Sequence, residues 1–106
     1  MSETIETLWA TIKSRIGAAP ETSYTAQLLA NGPPRIAKKL GEEAVETIIA
    51  AVEDDRNQLI AESADLMYHL LVLLKARGIG LGEVEALLAQ RTSMSGLEEK
   101  ASRKRD

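Results

Sequence analysis

The sequence has no cysteine and no phenylalanine, and its only aromatic residues are one tryptophan and two tyrosines. Without thiols there is neither a disulfide framework nor a thiolate metal site, so a reducing cytoplasm is the expected compartment. Trp9, Tyr24 and Tyr68 leave little on which to stack bases. The net charge of −3 also lacks the lysine and arginine excess that a phosphate backbone demands, so nucleic acid is excluded as the main partner. Long hydrophobic runs are missing as well. The longest, Leu66 to Leu74, is broken by His69 and falls far short of the roughly 20 residues a bilayer span requires, so no membrane is expected. The polar, acidic start Met1-Ser2-Glu3-Thr4 has neither the basic nor the apolar region of an export signal.

What is present points to a folded helical protein. Hydrophobic residues at 44% make the chain too apolar for disorder, and 106 residues suit a single domain, expected over 1–106, with a small core. Leucine, alanine, isoleucine and glutamate are plentiful, which favours helices over strands. Ile5, Leu8, Trp9, Ile12 and Ile16 recur at helical spacing, and Gly17 follows as a stop. Ser23 to Leu29 reads as a short helix before the break Asn31-Gly32-Pro33-Pro34. A long helix is expected from about Pro34 to Asp54, a second from about Gln58 to Ala76, and a shorter one from about Leu81 to Gln90. Gly78 and Gly80 separate the last two. From Leu97 the chain is polar and charged, and a partly ordered tail is expected there.

The chemistry-bearing residues are Glu42, Glu43 and Glu46 on the first long helix and Glu62 and Asp65 on the second. With about 100° per residue and Glu42 as origin, Glu46 stands near 40° and Glu43 near 100°, so the three share one arc. Ala37, Leu40, Ala44, Val45, Ile48, Ala51 and Val52 take the other side and read as a core stripe. The second helix is apolar around its whole circumference, which marks it as buried. Glu62 and Asp65 are therefore costly to bury ionised unless a positive charge faces them. The core segments offer no matching lysine or arginine run. An antiparallel hairpin brings the two acid clusters together, and a divalent cation relieves their repulsion. Oxygen-only ligation suits Mg²⁺, with Mn²⁺ as a substitute, better than zinc.

Plainer readings stand beside these. Glu42, Glu43 and Glu46 alone also fit a solvated helix face. Lys38 and Lys39, one turn earlier, either hold phosphate oxygens beside a metal or pair with Glu42 and Glu43 at i, i+4. His69 reads as a hydrogen-bonded core residue outside the metal's ligand shell. A di-iron site is disfavoured because three residues after Glu62 stands Asp65, not histidine.

Glu-Glu-x-x-Glu followed after fifteen residues by Glu-x-x-Asp resembles the signature of the all-α, MazG-like nucleoside triphosphate pyrophosphohydrolases. Ser23–Leu29, Lys38–Glu46, Glu62–Leu74 and Ser95–Arg103 together are similar to the phosphoribosyl-ATP pyrophosphatase family. The resemblance implies an all-α helical bundle completed by dimerisation, as a homodimer or higher homo-oligomer. It implies hydrolysis of the α–β phosphoanhydride of phosphoribosyl-ATP, the second step of histidine biosynthesis. A small nucleotide is then the substrate. By position, Glu42, Glu43, Glu46, Glu62 and Asp65 would be magnesium ligands and catalytic carboxylates. Lys38, Lys39, Tyr24, His69, Lys100 and Arg103 would lie near substrate. The cyclohydrolase domain often fused to this family has no counterpart here, so that activity is expected on a separate chain. Two rivals remain: a housecleaning pyrophosphohydrolase of the same superfamily, and a non-catalytic helical dimerisation module.

Overall fold

The computed structural model describes residues 2–93. Among them are five α-helices and no strand: α1 (Glu3–Ser14), α2 (Tyr24–Asn31), α3 (Pro33–Val52), α4 (Arg56–Ala76) and α5 (Leu81–Thr92). A short 3₁₀ turn, Pro20–Thr22, leads into α2. The fold is all-α, as the composition led one to expect. The charged tail from Leu97, with Lys100 and Arg103, lies outside the described residues.

Local chemistry sets the helix boundaries. The Ser23 hydroxyl accepts from the Ala26 N–H at 2.9 Å, capping α2, and an Asp55 carboxylate oxygen accepts from the Gln58 N–H at 3.1 Å, capping α4. Gly32 sits at φ +88°, a conformation open to glycine, and this sharp corner lets both prolines enter the first turn of α3. Asp54, at φ 55°, reverses the chain between α3 and α4, so the two long helices form an antiparallel hairpin. Their contact is the most extensive among the described helices.

The core lies toward one end of that hairpin. Ile12 of α1, Leu28 of α2, Ile36 of α3, Leu71 and Val72 of α4 and Leu81 of α5 are buried together, with Leu8, Trp9, Tyr68 and Leu74 packed against them. Burying each such aliphatic side chain is worth about 1.5–3 kcal/mol.

Two expectations about burial need correction. The α3 stripe Ala37, Leu40, Ala44, Val45, Ile48, Ala51 and Val52 is not core within one chain. None of these residues is buried, and Val45, Ile48 and Val52 are 55%, 61% and 81% exposed. The buried residues of α3, Ile36 and Ala50, stand at about 120° and 80° from Glu42, on either side of Glu43. The helix thus turns the edge bearing Glu43 toward α4 and leaves its apolar stripe uncovered. Nor is α4 buried all round, since Ile60, Met67 and Leu70 are exposed. No helix of the described residues is long and apolar enough to cross a membrane.

Candidate metal centre

The α3–α4 hairpin determines which acids meet. Glu43 and Asp65 lie equally far along the chain from Asp54, and so do Glu46 and Glu62, so an antiparallel pair sets them at matching levels. Glu43, Glu62 and Asp65 each bring a carboxylate oxygen within 4.8 Å of the others. Glu62 is only 6% exposed. Its Oε1 accepts from the Gln58 amide at 3.2 Å, but its Oε2 and the Oε2 of Glu43 are hidden from water and have no hydrogen-bond partner. Orphaned buried oxygens of this kind are rare, because each forfeits its hydration without replacement.

The electrostatics point the same way. The Glu62 carboxyl is pushed up to about 7, first by Glu46, close enough to share a proton with it, then by burial, then by the charges of Glu46, Glu43 and Asp65. All these influences favour the protonated form. Two ionised carboxylates have no hydrogen to place between them, so the cluster needs either a proton or a cation. Hard oxygen donors, two of them desolvated, fit Mg²⁺ or Mn²⁺.

The other candidate residues separate from this group. Glu42 is exposed and points elsewhere, its Oε1 accepting from Lys39 Nζ at 3.4 Å. That hydrogen bond is the chief reason the Lys39 ammonium is held above its ordinary range. Among the described residues the expected i, i+4 pairs give way to one i, i+3 pair, and exposed Lys38 forms no ion pair with Glu42. Tyr24, the first residue of α2, places its hydroxyl 3.1 Å from His69 Nε2, while His69 Nδ1 stands 2.7 Å from the Asp65 carbonyl oxygen. His69 is buried, as expected of a hydrogen-bonded core residue. Beside this pair, Thr25 and Tyr68 join hydroxyls and the Tyr24 and Tyr68 rings stack at 6.2 Å, so α2 is keyed to α4 at two points.

Sequence reasoning missed two contributors. Gln58 holds Glu62 from one turn upstream, and its i, i+4 spacing was the available signal. Glu53 joins Glu46, Ile49, Ala50 and Gln58 in lining a hollow of about 150 Å³ beside the acids. Nothing in the local sequence marks Glu53 out.

Fold and site together define an all-helical protein with a carboxylate centre held between two antiparallel helices. Residues 5–92 match the model of the phosphoribosyl-ATP pyrophosphohydrolase family, and the chain belongs to that family. It is 64% identical over 103 residues to phosphoribosyl-ATP pyrophosphatase 1 of Rhodopseudomonas palustris, covering 97% of this chain and 96% of that one. It is 68% identical over 101 residues to phosphoribosyl-ATP pyrophosphatase 1 of Bradyrhizobium diazoefficiens, covering 95% of each. It is 61% identical over 94 residues to the phosphoribosyl-ATP pyrophosphatase of Paracoccus denitrificans, covering 89% of this chain and 87% of the other.

Proposed function

We propose that this chain is a magnesium-dependent hydrolase that cleaves the α–β phosphoanhydride of phosphoribosyl-ATP, releasing pyrophosphate and phosphoribosyl-AMP, in histidine biosynthesis. The observation that carries the chemistry is the pair of desolvated, unpartnered oxygens on Glu43 and Glu62 within a group that Asp65 completes. Near-full-length relatives bearing the pyrophosphatase name support the choice of substrate over a housecleaning nucleotide.

In this reading Glu43, Glu62 and Asp65 hold the cation, and Gln58 fixes the Glu62 carboxylate for it. A bound Mg²⁺ supplies charge neutralisation for the triphosphate and for the charge that develops as the bridge breaks. Glu46 lies outside the group of three yet within proton-sharing reach of Glu62. It is the carboxylate available to take a proton from the attacking water as the oxygen bonds to phosphorus and pyrophosphate departs. Lys38 and Lys39 stand about one helical turn before Glu42 and Glu43 and serve the phosphate oxygens. Glu42 acts here through Lys39, holding its ammonium in place.

A second copy of the chain covers the apolar stripe of α3, so the working form is a homodimer or larger. The test of function is pyrophosphate release from phosphoribosyl-ATP with and without Mg²⁺. Release only with the metal is expected. Preference for dUTP or dATP, or equal release in chelator, would reject the assignment.

A further inference from the structure

His69 is the only histidine in the chain, and both of its ring nitrogens are engaged. The partner of Nδ1, 2.7 Å away, is the main-chain carbonyl of Asp65, which can only accept. Nδ1 therefore carries a hydrogen and donates. In the neutral ring Nε2 is then a lone pair, and the group facing it at 3.1 Å is the Tyr24 hydroxyl, which must donate. A phenol has one hydrogen to give. Once it is committed to His69, the outward side of Tyr24 Oη has only lone pairs to offer.

We infer that His69 is a positioning residue that acts through Tyr24, taking the phenol's hydrogen at Nε2 so that Tyr24 Oη faces the site as a hydrogen-bond acceptor. This rests on the activity proposed above and assigns Tyr24 the recognition of a donor: a hydroxyl or amino group of the bound nucleotide, or an ammonium. A phosphate oxygen, itself an acceptor, is excluded as its partner. The setting suits the role. Tyr24 is 48% exposed while His69 is 5% exposed, so the tyrosine is open to a ligand and the imidazole is not. The His69 ring stands edge-on to both Tyr24 and Tyr68, at 78° and 82°, which fixes its plane. The Lys39 ammonium lies within the electrostatic reach of the phenol and is a donor the chain itself supplies. The Asp65 carbonyl that orients His69 belongs to a proposed cation ligand, so the pair is built onto the metal centre.

The decisive measurement is a ¹⁵N–¹H correlation spectrum of the full chain with labelled histidine, whose single ring needs no assignment. We expect the proton on Nδ1, with the Nε2 resonance moving toward that of a free acceptor nitrogen in Tyr24→Phe while the proton stays on Nδ1. A proton on Nε2, or an Nε2 resonance indifferent to Tyr24→Phe, overturns the inference. Kinetics supply the second arm. His69→Asn keeps an amide donor for the Asp65 carbonyl while withdrawing the ring and the acceptor at the Nε2 position. Tyr24→Phe and His69→Asn should each raise KM about three- to tenfold with kcat within about twofold, the range of one hydrogen bond. The double variant should be no worse than the poorer single one. Additive losses would mean that His69 touches substrate itself, against the inference. If His69→Asn does not fold, the spectrum and Tyr24→Phe still decide. Absence of pyrophosphate release from the unaltered chain would sink the proposed activity and leave the spectrum to judge this inference alone.

Discussion

Glu62 is where burial and charge conflict most openly. Its carboxyl, raised from 4.5 to about 7, binds a proton in the folded chain over a range where the unfolded chain has released it. Stability therefore falls as pH rises from about 4.5 to about 7, because the native state holds more protons than the unfolded one there. In the proposed reading a divalent cation would replace the missing proton. Metal-free protein should show a melting temperature that declines across that interval, and Mg²⁺ should raise it more at pH 8 than at pH 5. Glu62→Gln should abolish both effects while lowering pyrophosphate release roughly 10²-fold or more, because even residues that only support a metal's ligands cost about 10–100-fold when lost. Scanning calorimetry of metal-free and Mg²⁺-loaded samples checks the first part. A flat pH profile in the unaltered chain would mean that Glu62 ionises without strain.

At the scale of elements, much of the hairpin was legible in the sequence and its facing was not. Proline, glycine and the capping residues announce where helices begin and end, because they act on their own backbone neighbours. Even so, α4 begins earlier than expected, at Arg56, because Asp55 serves as its cap and not as part of a longer turn. Glu42 and Glu43 are adjacent and chemically alike, but they stand about 100° apart, and packing alone decides which one meets α4. Periodicity finds an apolar stripe on α3 without saying what covers it. The Tyr24–His69 pair joins residues 45 apart, beyond the reach of any local pattern. Asp55 itself offers a test at this scale. Its side chain satisfies one of the N–H groups that the start of α4 leaves unpaired. Asp55→Ala should cost about 0.5–2 kcal/mol in urea unfolding, with the denaturant slope unchanged. No change in midpoint would show that water satisfies the helix start equally well.

The whole molecule carries an imbalance that a single chain does not resolve. Its core gathers at one end of the hairpin, while Val45, Ile48, Ile49 and Val52 share one arc of α3 in contact with water, and Ile60 and Met67 share an arc of α4. Replacing solvated apolar residues by glutamate in a monomer changes stability by no more than about 0.5 kcal/mol. The same change inside an interface buries uncompensated charge and disrupts association. Ile48→Glu combined with Val52→Glu therefore separates the two cases, because these side chains lie on the face of α3 turned away from the acids. Sedimentation should show the unaltered chain as a dimer or larger at micromolar concentration. The double variant should sediment as a monomer that keeps its helical circular dichroism. If the unaltered chain is already monomeric, or the variant keeps the original mass, the stripe has some purpose other than self-association. If the variant is monomeric but hydrolyses phosphoribosyl-ATP at the original rate, one chain holds a complete site and the second copy only covers apolar surface.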